Sequence, residues 1–81
     1  MEEYLKLKIN KIKTLINEKI YGECYDIGEI FDETRFIFRI RNIYCYITIH
    51  NKQLIKLSEE QIIDFLLTHI KETILEHYIK D

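Results

Sequence analysis

The chain has 81 residues, 47% of them hydrophobic and 32% charged, with a formal net charge of −2. That length holds one domain, residues 1–81, with a small core that gains from association, and the net charge argues against a general polyanion binder. Its apolar runs are far too short to span a bilayer, and MEEYLKLK does not read as a signal peptide, so a cytoplasmic location is expected.

Residues 2–20 read as an amphipathic helix. Leu5, Ile9, Ile12, Ile16 and Ile20 recur at spacings of three and four. Glu2 and Glu3 suit the positive end of the helix dipole, Lys19 the other, and Gly22 is placed to accept a left-handed stop. Residues 23–31 read as a first strand, with Tyr25 and Ile27 inward. A bulge at Gly28 is expected to turn Glu29 out and Ile30 in, because an unpaired buried carboxylate is costly. Asp32-Glu33 is then the turn, and Asp26 faces Arg39 across the strands.

Thr34–His50 reads as two further strands joined at Arg41-Asn42, with Asn42 supplying the positive φ of a two-residue turn. The period of two puts Phe36, Phe38, Ile40, Ile43, Cys45, Ile47 and Ile49 on one face. Arg35, Ile37, Arg39, Tyr44, Tyr46 and Thr48 form the other. The segment Gln53–Leu57 reads either as a short fourth strand or as a crossing. The last helix has a capping box, Ser58 with Gln61, and a hydrophobic staple of Leu57 and Ile62. Its main stripe is Ile63, Leu66, Leu67, Ile70, Ile74 and Tyr78. Phe65, Leu75 and Ile79 fall outside that stripe and are candidate oligomer contacts, as in a homodimer.

These elements predict an α+β fold: an αβββα two-layer sandwich whose three-stranded, or four-stranded, antiparallel sheet has both helices on one face. Charge is sorted along the chain. Residues 1–21 carry a balance of +2 and residues 58–81 a balance of −4, and all three arginines (Arg35, Arg39, Arg41) lie in one strand and its turn.

No motif for chemistry appears. His50, His69 and His77 lack ligand spacing, so no metal is expected, nor any other cofactor. Cys24 and Cys45 have no C-x-x-C spacing and are expected to stay free thiols. There is no nucleophile elbow and no Gly-rich phosphate loop, so the chain is not expected to be an enzyme. What remains is binding. Arg35, Ile37, Arg39, Arg41, Tyr44 and Tyr46 form a candidate partner face of residue types enriched in interface hot spots. Glu29, Asp32 and Glu33 form a second candidate at a hairpin tip, where acids could meet a basic groove. A nucleic acid stacked on the Tyr/Arg face is the competing expectation.

The order αβββα resembles that of double-stranded-RNA-binding domains over most of the chain. The phosphate-reading start of that family's last helix is here Ser58-Glu59-Glu60-Gln61, which repels phosphate. The layout of a first helix, the strand TRFIFRIRN, a Tyr-bearing strand and a last helix also resembles small phage-encoded anti-CRISPR proteins of the type II-A inhibitor class. The skewed composition, with no Pro, Ala, Val or Trp and much Ile, fits an AT-rich source such as a low-GC bacterium or its phage. That resemblance implies an inhibitor that occupies the nucleic-acid path of a host effector nuclease in the host cytoplasm.

Overall fold

The computed structural model describes residues 3–79. In chain order it holds α1 (Glu3–Asn17), β1 (Glu23–Ile30), β2 (Glu33–Ile40), β3 (Ile43–His50), α2 (Asn51–Lys56) and α3 (Glu59–Ile79). The strands form one antiparallel sheet in the order β1-β2-β3. α1 packs over β1, α3 over β3, and the two helices touch each other. The fold is α+β, and the expectation for Glu2 lies outside the described residues. Among those residues no helix is long and apolar enough to cross a membrane.

The inner sheet face meets the two helical stripes. Phe36 and Phe38 are fully buried with Ile12, Ile16, Leu54, Ile62 and Leu66. Burial of side chains this large stabilises by about 1.5–3 kcal/mol each before the entropy of ordering is subtracted. Thr34, at the far end of β2, is buried too. Its hydroxyl bonds the Asn51 side chain at 2.6 Å, and the Asn51 amide donates to the Asp32 carbonyl at 2.7 Å. These two bonds tie the start of α2 to the β1–β2 turn.

Gln53–Leu57 is therefore not a strand: most of it belongs to α2. His50 caps that helix by accepting from the Lys52 amide through Nδ1 at 3.2 Å. Leu54 is its single buried anchor. The carbonyls of Ile55 and Leu57, at the α2–α3 junction, both accept from Lys8 Nζ. Lys8 is thus a buried cation on α1 that sequence periodicity presents as an ordinary polar position. The α3 start follows its signal: the Ser58 amide donates to Gln61 Oε1 at 2.9 Å, and the Gln61 amide to Ser58 Oγ at 3.1 Å.

β1 departs from expectation in three linked ways. The turn is Phe31-Asp32, one residue earlier than Asp32-Glu33, so Ile30 faces Glu33. The bulge lies between Cys24 and Asp26 and not at Gly28. Together these move Asp26 opposite Ile37 and bring Glu23 opposite Arg39. Cys24 takes the inward place expected for Tyr25, which turns outward, and Ile30 lies on the outer side, 40% exposed. Both hairpin turns bend through the left-handed region at their first residue, Phe31 (φ 54°) and Arg41 (φ 59°); Asn42 is not the positive-φ residue. Gly22 does not adopt a left-handed stop either. It allows close approach, since a Cβ there would lie 2.3 Å from the Arg39 carbonyl oxygen.

Candidate protein-binding surface

Among the described residues no helix covers the outer face of the sheet. It is built from alternate residues of three strands, so the pleat alone points Arg35, Ile37, Arg39, Tyr44, Tyr46 and Thr48 the same way. The β2–β3 register places Arg39 beside Tyr44, Ile37 beside Tyr46 and Arg35 beside Thr48. The bulge in β1 adds Tyr25, which alternation predicts to face the core. No periodicity reveals that position: the Phe31-Asp32 turn alone would set Tyr25 opposite Phe38 and Glu23 opposite Ile40, and the bulge between Cys24 and Asp26 turns Tyr25 out and moves Glu23 opposite Arg39.

The two ends of this face differ. At one end Arg39 is partnered, though its side chain stays exposed. Its guanidinium pairs with Glu23 and lies 5.2 Å from the Tyr25 ring centre. The Tyr25 and Tyr44 rings meet edge to face, with centroids 5.9 Å apart at 84°. Hydrogen bonding to Tyr44 and the charge of Glu23 push the Arg39 pKa above the ordinary arginine value. Held in place by neighbours from both flanking strands, Arg39 orders the aromatic rings around it.

At the other end Arg35 stands between Gly28 on β1 and Thr48 on β3. Nothing lies within 4 Å of where a Gly28 side chain would begin. Among the described residues, no carboxylate lies within 4 Å of Arg35. Ile37, half-buried, separates the two ends, and Tyr46 beside it is 62% exposed. The result is a shallow surface with a free guanidinium, an apolar centre and an ordered aromatic wall.

Compared with family models, curated proteins and solved structures, the chain matches none.

The other predicted residues are dispersed. Arg41 sits in the β2–β3 turn, beyond the face proper. Glu29, Asp32 and Glu33 do not converge. Glu29 pairs with the inward-facing Thr34 and lines a cavity of about 380 Å³ against α1, together with Lys6 and Lys13. Glu33 points to the outer face, and Asp32 occupies the turn. Phe65 is 41% exposed and packs on His69 at 4.4 Å, whereas Leu75 and Ile79 (59% and 78% exposed) lie toward the other end of α3. Both cysteines are buried and free. Among the described residues no three potential metal ligands cluster.

Proposed function

We propose that the chain works by binding another protein through its outer sheet face, without chemistry of its own. One observation carries this reading: an uncovered surface that sets ordered Tyr25, Arg39 and Tyr44 beside half-buried Ile37 and unpaired Arg35. Tyr and Arg dominate interface hot spots because they bury large area while keeping a polar handle. Two features disfavour a nucleic acid. Glu23 neutralises Arg39, and the net charge of −2 gives phosphate no general attraction. The partner chemistry that fits is an acidic side chain for Arg35 next to an apolar one for Ile37 and Tyr46. In its sharper form, which rests on the layout resemblance and the composition, the partner is a host nucleic-acid-targeting effector and the chain its inhibitor.

Pull-down and cleavage assays with purified effector nucleases test the sharper form, and absence of binding to every one would end it. The surface itself is tested with Arg35→Glu and Tyr46→Ala. Both exposed substitutions are expected to leave the circular dichroism spectrum unchanged and to abolish capture of whatever the wild type retains. Retention by both variants would show that another face binds. A gel shift with single-stranded RNA or DNA at low salt is expected to be negative; a salt-dependent shift would favour the nucleic-acid alternative.

A further inference from the structure

The two free edges of the sheet are not alike. β1 is defended by a bulge and by Glu23, Asp26 and Glu29, the devices that keep an edge from pairing. β3, Ile43–His50, has neither. It is eight residues long, regular against β2 throughout, and contains no Asp, Glu, Lys, Arg or Pro. Because Ile40 and Ile43 flank a two-residue turn, hydrogen bonding alternates from that pair, and the N–H and C=O of Tyr44, Tyr46 and Thr48 point to the open side. Among the described residues no other backbone group meets them.

We infer that the β3 edge is a dimer interface, and that its occupant is the β3 edge of a second copy of this chain. Antiparallel pairing about a two-fold axis sets Tyr46 against the second copy's Tyr46. That register brings the second copy's Ile43 opposite Ile49. Ile43 is only partly buried and points to the helical side. Beside Ile49 lies an apolar cavity of about 320 Å³ lined by Leu57, Ile62 and Phe65, open for that side chain.

Charge agrees with this orientation. One end of the edge carries Glu76, next to Tyr44 and Asn42. The other runs into α2, where Lys52 is exposed. Antiparallel copies turn Glu76 of each chain toward Lys52 of the other.

Sedimentation velocity over a wide concentration range tests the inference, read together with amide hydrogen exchange. The expected result is a species of twice the chain mass, with the Tyr44, Tyr46 and Thr48 amides protected more strongly as concentration rises. Thr48→Pro removes an N–H that β2 does not use, and should weaken dimerisation about tenfold or more. Glu76→Lys should weaken it too, and Lys52→Glu in the same chain should restore it. A clean monomer with fast exchange at those three amides overturns the proposal. So does a dimer that protects Ile27 and Glu29 on β1 instead, or one indifferent to all three substitutions. None of these readings requires the outer-face partner, so the two proposals fail separately.

Discussion

Phe31 stands in left-handed backbone (φ 54°) with its ring 94% exposed. A residue with a Cβ is disfavoured there by about 1–2 kcal/mol, and its ring loses nothing by leaving. Phe31→Asn is therefore expected to raise stability by about 1 kcal/mol, read from the midpoint of urea unfolding. Gly22→Ala should act the other way, by about 2 kcal/mol or more, because its Cβ meets the Arg39 carbonyl. Cys24 supplies a pH signature. Burial raises its thiol pKa from 9.0 to about 11. Between those values the unfolded thiol ionises while the folded one keeps its proton. Its contribution to stability is thus complete below about pH 9 and falls as pH rises toward 11. Unfolding of the wild type against Cys24→Ala over that range checks the sign, and slow alkylation of Cys24 at pH 8 checks the burial. These details were hidden in the sequence: Asp32-Glu33 carries commoner turn residues than Phe31-Asp32, and a close approach leaves no mark on periodicity.

At the scale of elements, β2 and β3 were fully legible, because alternation over eight residues with one apolar face admits only one register. The capping box placed α3 for the same kind of reason, a local bond that needs no tertiary context. Ser58→Ala should cost about 1 kcal/mol. α2 was not legible. Six residues with a single buried leucine have no period to read, and the helix exists because tertiary bonds hold both of its ends. Lys8→Met tests this. It leaves the Ile55 and Leu57 carbonyls without their donor, and should cost about 1–3 kcal/mol, with amide exchange quickening in 51–57 before the sheet is affected.

For the whole molecule, the arrangement of α1, sheet and α3 followed from two apolar stripes and one apolar sheet face. The candidate surface was legible in six of its members, through the same alternation that built the core. Tyr25 and Glu23 were not, since a bulge and a one-residue shift of turn changed their side and their partner. Which partner the surface takes lies beyond what residue pattern encodes, because hot-spot residue types are shared by unrelated interfaces.

The bond between Lys8 and the α2–α3 junction joins residues 47 and 49 positions apart. The two hairpins, by contrast, close over two-residue loops. During synthesis, α1 emerges first with Leu5, Ile9, Ile12 and Ile16 uncovered. The acceptors of Lys8 and the α3 side chains that enclose α1 come later in the chain. The sheet can close early, but α1 is secured only once α3 has been made. Until then the apolar face of α1 is open to chaperones or to misassociation.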